Sequence, residues 1–158
     1  MNRFPVSVVL ENIRSLYNVG SVFRTSDGAF IEKLYLSGYT GFPPRKEIDK
    51  TALGSVDSVP WERIPNTFEI VYRLHSMGYQ IVSLEQSDGC VSYNTADYKF
   101  PLCLIIGNEV SGVSKELALK SDLIVDIPMY GSKHSLNVAV AYGIAVYHII
   151  EKYKKIQL

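Results

Sequence analysis

Cysteine is scarce in this 158-residue chain: Cys90 and Cys103 are the only two, in no C-x-x-C pair and with no histidine at metal-ligand spacing. His75, His134 and His148 are equally scattered. These scarcities speak against a disulfide framework or a metal site and lead us to expect a reducing, cytoplasmic setting. Net charge is missing too, because 16 basic side chains balance 16 acidic ones. Bulk charge therefore announces no polyanionic partner, and any basic footprint has to be a local patch. No apolar run reaches the roughly 18 residues a membrane span needs; the nearest, Leu136 to Ile150, is shorter and carries His148. The opening "MNRFPVSVVLENIR" is cut by Pro5 and closed by Glu11, which leaves no signal-peptide core. The chain also lacks a G-x-x-x-x-G-K-[ST] phosphate loop and any G-x-G-x-x-G.

What is present reads as one domain spanning residues 1–158, with 47% hydrophobic residues to build a core. The valine-rich run Val6 to Glu11 reads as a buried strand, and Asn18 can cap a helix through Ala29. Lys33 to Ser37 reads as a second strand, followed by a long loop with one short helix at Glu47 to Leu53. A helix over Phe68 to Met77 ends at Gly78, before strands at Gln80 to Leu84 and Pro101 to Ile106. A short helix at Ser114 to Lys120 and a strand at Leu123 to Ile127 precede a long helix from about Ser135 to Lys154. Strands alternating with helices predict an α/β fold, a mainly parallel sheet flanked by helices. The Pro43–Pro44 loop is the segment best suited to be mobile or to meet a partner.

In such sheets ligands gather at the carboxyl ends of strands. Three strand ends carry polar clusters: "ENIRSLYNVGSVFRTSDGAF", "GNEVSGVS" and "MYGSKHSLN". Each has a plain structural explanation: Asn18, Ser135 and Asn137 suit helix caps, Arg24 a surface cation, and Glu109 a solvated loop acid. Function explains them equally well, since Arg14 and Arg24 suit bidentate phosphate contacts. Along the last helix, Leu136, Val140, Gly143, Tyr147 and Ile150 form a stripe that suits the core alone or the core plus a dimer seam.

Taken together, the texts "NIRSLYNVGSVFRTSDGAF", "LIIGNEVSGVSKEL" and "IPMYGSKHSLNVAVAYGIAVY" resemble, in order and spacing, the three motifs of the SpoU family of RNA 2′-O-ribose methyltransferases in the SPOUT superfamily. The middle text "IDKTALGSVDSVPWE" is similar to the family's as well. The resemblance implies a C-terminal trefoil knot, S-adenosylmethionine held in it, a homodimer whose shared surface completes the active site, and transfer or ribosomal RNA as substrate. It places Arg24, Asn18, Glu109, Ser135 and Asn137 in the catalytic set and Leu84, Gly107, Ile127, Ser135 and Leu136 in the cofactor pocket. Arg14, Arg45, Lys46 and Lys133 are candidate RNA contacts by charge and loop position, though ordinary surface solubility explains them as well. No separate RNA-binding domain is expected within these residues. A non-catalytic RNA-binding protein of the same fold is the rival reading. It could dispense with Asn18, Arg24, Glu109 and Asn137, all of which this chain retains.

Overall fold

The computed structural model describes residues 1–158 and contains seven strands and five helices. In chain order these are β1 (Phe4–Glu11), α1 (Leu16–Ala29), β2 (Ile31–Ser37), α2 (Lys46–Ala52), β3 (Trp61–Arg63), α3 (Thr67–Ser76), β4 (Gln80–Leu84), β5 (Val91–Ser92), β6 (Leu102–Ile106), α4 (Lys115–Leu119), β7 (Leu123–Asp126) and α5 (Val138–Ile156). All strand pairs are parallel, in the spatial order β3-β2-β1-β6-β4-β7-β5. Every strand therefore delivers its carboxyl end to the same edge.

The alternation of side chains along a strand sorts the core into two layers. Val6, Val8 and Leu10 of β1, with Leu102, Leu104 and Ile106 of β6, pack on the face covered by α1 and α5. Val9, Cys103 and Ile105 point the other way, toward α3 and α4. Both faces of these strands are buried, which is why they read as unbroken apolar runs. Complete burial pushes the Cys103 thiol up to about 12, so it stays protonated and inert. Cys90 is a free, half-buried thiol.

Three expectations need correction. Helix α1 is capped by Ser15, whose hydroxyl accepts the Asn18 amide at 3.2 Å; Asn18 lies inside the first turn. Helix α5 begins at Val138 rather than Ser135, because Asn137 accepts the amides of Ala139 (2.9 Å) and Val140 (3.3 Å). The short strands β3 and β5 lie where the sequence reads as loop. The stripe on α5 is also mixed: Ile150 is buried, whereas Val140 and Tyr147 are about half exposed, at 52% and 49%. No helix is long and apolar enough to cross a membrane, and no group of three His, Cys, Asp or Glu residues could hold a metal ion.

Helix α1 is gripped between neighbours. Ser26 and Tyr142 share a buried hydrogen bond of 2.7 Å that ties it to α5. On its other side, Gly20 lets α2 approach so closely that a methyl group there would run into the Ile48 carbonyl and the Thr51 hydroxyl. Gly20→Ala is therefore expected to destabilise the fold by about 1–3 kcal/mol despite alanine's better helix propensity. Urea unfolding would register this as a lower midpoint with an unchanged slope.

Candidate functional site

The site is built at the carboxyl edge, where the loops after β1, β6 and β7 meet. Glu109 stands in the loop after β6. Its carboxylate accepts the backbone N–H groups of Arg14 and Ser15, each at 3.0 Å, just ahead of α1. Asn18 Nδ2 donates to the same carboxylate at 3.3 Å, and Asn137 Nδ2 donates to Asn18 Oδ1 at 3.4 Å. Glu109, Asn18 and Asn137 thus form one chain of polar contacts across a loop and the starts of two helices that are remote in sequence. Burial would raise the Glu109 carboxyl, but the donated hydrogen bonds from Ser15, Arg14, its own amide and Asn18 outweigh it. The net effect holds the group below the ordinary carboxylate range.

The loop that carries Glu109 is pinned on both sides. Asn108 accepts the amides of Val110 and Ser111, both at 2.9 Å, and donates to the Asn12 carbonyl and the Tyr39 hydroxyl, both at 2.8 Å. Glu85, one residue past β4, accepts the Val113 amide at 2.8 Å. Buried Glu11 accepts the next amide, Ser114, at 3.2 Å. At Gly107 a Cβ would collide with the backbone of Gly112 and Val113, so only glycine allows this close turn.

Beside this loop opens a cleft with an empty volume of about 790 Å³, the open solvent at its mouth included. Leu84, Gly107, Ile127, Ser135 and Leu136 all line it, and so does Glu109. Ile106, Met129 and Val138 add apolar wall, while Glu85 and Asp126 bring the carboxylates to three, with no lysine or arginine in the lining. Residues 127–136 take part in none of the loop or cap hydrogen bonds, so their amides and carbonyls lack protein partners. Apolar walls, unpaired backbone groups and carboxylates with no basic side chain among them suit a flat heterocycle carrying a cationic substituent.

Asn18 and Asn137 sit at the rim of this arrangement through their contacts. Ser135 lines the cleft but makes no hydrogen bond within the protein. Arg24 is exposed on α1, outside the cleft lining. Arg14, Arg45, Lys46 and Lys133 are also exposed and do not line the cleft; Arg45 only approaches Glu47, at 3.9 Å. Glu85, Glu11 and Asn108 escape sequence reasoning. A signal existed for Glu85, which follows a buried strand more closely than Glu109 does, one residue past its end against three.

Glu109→Gln leaves an amide facing donors that need an acceptor, and a loss of about 1–2 kcal/mol in chemical denaturation is expected. The carboxyl is held below its ordinary value of 4.5. Its stabilising contribution is therefore complete above that value and is lost as pH falls through the lower folded one. The stability difference between wild type and Glu109→Gln should hold from pH 7 to about 5 and shrink below pH 4.5.

Residues 5–147 match the SpoU rRNA Methylase family. A tRNA (guanosine(18)-2′-O)-methyltransferase of Aquifex aeolicus is 34% identical over 141 residues, covering 89% of this chain and 66% of that protein. A TrmH-family protein of Staphylococcus saprophyticus is 28% identical over 96% of this chain and 60% of its own length. The chain thus spans between six-tenths and two-thirds of these curated relatives. Among solved structures, an AdoMet-bound rRNA methyltransferase from Sinorhizobium meliloti superposes with a TM-score of 0.87 at 32% identity, over 94% of this chain and 56% of that one. A structure solved for the 2-OH methylation of C/U34 on tRNA superposes with a TM-score of 0.81 at 25% identity, over 98% of this chain and 99% of that one. The family match across nearly all of its length shows that the chain belongs to the SpoU methylase family.

Proposed function

We propose that this protein transfers a methyl group from S-adenosylmethionine to a ribose 2′-hydroxyl of structured RNA, with transfer RNA as the substrate class. The observation that carries this reading is the cleft bordered by the Glu109–Asn18–Asn137 chain of contacts. Transfer RNA is favoured over ribosomal RNA by the Aquifex relative and by the structural neighbour matched along nearly its whole length, whose names concern tRNA.

When bound, S-adenosylmethionine supplies a methyl group already activated on a sulfonium. The protein's task is then to align acceptor and donor and to ease loss of the 2′-proton. Leu84, Ile127 and Leu136 would hold S-adenosylmethionine in the cleft, and the unpaired backbone of residues 127–136 would offer it hydrogen-bond partners. Glu85, Glu109 and Asp126 favour a cationic ligand in the cleft. Arg24 offers a planar guanidinium with five N–H donors and no acceptor. It therefore holds the ribose and its phosphate and stabilises charge developing on the 2′-oxygen, while the proton leaves to phosphate or solvent. Asn18 and Asn137 hold the nucleotide against the cleft, and Ser135 offers a free hydroxyl at the same rim.

Arg24 lies outside the cleft of its own subunit, which fits an active site completed by a second copy. The half-exposed Val140 and Tyr147 of α5 are the apolar surface we assign to that homodimer. The strand order inserts β6 between β1 and β4, and β7 between β4 and β5. We assign a trefoil knot to the C-terminal part on the strength of the family match, not of this order. A cytoplasmic setting fits the free thiols.

Arg24→Ala should lower methyl transfer from labelled S-adenosylmethionine to total tRNA by about 100-fold or more. Calorimetric binding of S-adenosylmethionine should stay within about threefold of wild type, because Arg24 does not line the cleft. Turnover close to wild type would remove Arg24 from the reaction. Failure of the wild-type protein to bind S-adenosylmethionine would remove the reaction itself.

A further inference from the structure

The loop after β2 is fastened at several points yet presents two aromatic rings to solvent. Gly38 adopts a positive φ of 61° against the Asn12 side chain. Asn12 Oδ1 accepts the Tyr39 amide at 3.0 Å. Buried Thr40 accepts the Ile13 amide at 3.0 Å and donates to the Leu10 carbonyl at 3.1 Å. The Tyr39 hydroxyl is held by Asn108, the residue next to Glu109. Even so, 60% of Tyr39 and 41% of Phe42 are exposed. The guanidinium of Arg63 lies 4.5 Å from the centre of the Phe42 ring.

A mobile tip would let such rings fold away, and a core role would bury them. A ring pinned at its hydroxyl and bare on its surface has already met the ordering cost of binding a flat partner. Unpaired nucleobases are flat, stack on aromatic rings and on guanidinium planes, and carry a phosphate that draws cations. Cations are at hand: Arg45 and Lys46 follow Phe42 in the chain, and the Arg14 backbone is bonded to Glu109.

We propose that Tyr39 and Phe42, the latter with Arg63 across its ring, form a stacking platform for unpaired RNA bases flanking the nucleotide delivered to the Glu109 loop. This rests on the methyltransferase reading above, and it assigns RNA recognition to side chains outside the three sequence clusters.

The test is fluorescence anisotropy with end-labelled total tRNA, in the presence of S-adenosylmethionine and across a salt series. Tyr39→Leu and Phe42→Leu should each weaken binding about tenfold, the loss expected for one stacked base. Tyr39→Phe keeps the ring but releases it from Asn108, and should weaken binding by only about two- to threefold. Neither leucine variant removes a charge, so the slope of affinity against salt should not change, whereas Arg63→Gln should flatten it by about one counterion. Affinity for S-adenosylmethionine should be unaltered throughout, which a general loss of structure would not allow. Wild-type affinity for tRNA in both leucine variants overturns the platform. A change in oligomeric mass on substituting Tyr39 also overturns it, by assigning the ring to a contact between copies. Absence of tRNA binding by the wild-type protein fails the methyltransferase reading first, and the platform with it.

Discussion

One carboxylate holds the carboxyl edge of the sheet together. Helices leave their first backbone N–H groups without internal partners, and a side chain close in sequence usually answers them. In α1, Ser15 answers one of these groups. The two amides just before the helix are answered by Glu109, which arrives from β6 on the far side of β1. The acceptor is charged and sits at the positive end of a helix, so each bond is stronger than a neutral one. The placement of α1, and of every side chain it presents, is set by a loop that follows most of the chain. Glu85 and Glu11 perform the same service a few residues further along the loop, taking the amides of Val113 and Ser114.

These carboxylates also divide the surface by charge. The cleft lining holds three acids and no base, whereas Arg14, Arg45 and Lys133 in loops and Lys46 at the start of α2 stand outside it. A chain with zero net charge can therefore attract a small cation and a polyanion to adjoining places. The sum over the sequence conceals this division, because opposite signs cancel only in the total.

Burial decided how much of the fold was legible in advance. Strands β1 and β6 are covered on both faces, and their apolar runs announce them. Strands β3 and β5 have three and two residues, none of them buried, and leave no periodic trace. The helix starts failed for another reason. Ser15 and Asn18, like Ser135 and Asn137, are all good capping types, and only the loop geometry selects between members of each pair. At the site, the convergence of three clusters was readable because parallel strands deliver their ends to one edge. The link between Glu109, Asn18 and Asn137 was not, since each bond joins residues far apart in the chain. Tyr39 went unread because a lone tyrosine in a loop has no pattern until Asn108 is seen to hold it.

The strand order has a consequence in time. Strands β1, β2 and β3 can pair as soon as they leave the ribosome, but the other edge of β1 has no partner until β6 is made. For that interval a valine-rich edge stands open, the kind of surface on which nascent chains associate wrongly. Contacts this distant in sequence also form slowly. The cleft comes later still, because Leu136, Val138 and Ala141 are part of its wall. A chain made only as far as β7 can thus possess its whole sheet and an unfinished binding site, so ligand capture reports that synthesis has run through to the last helix.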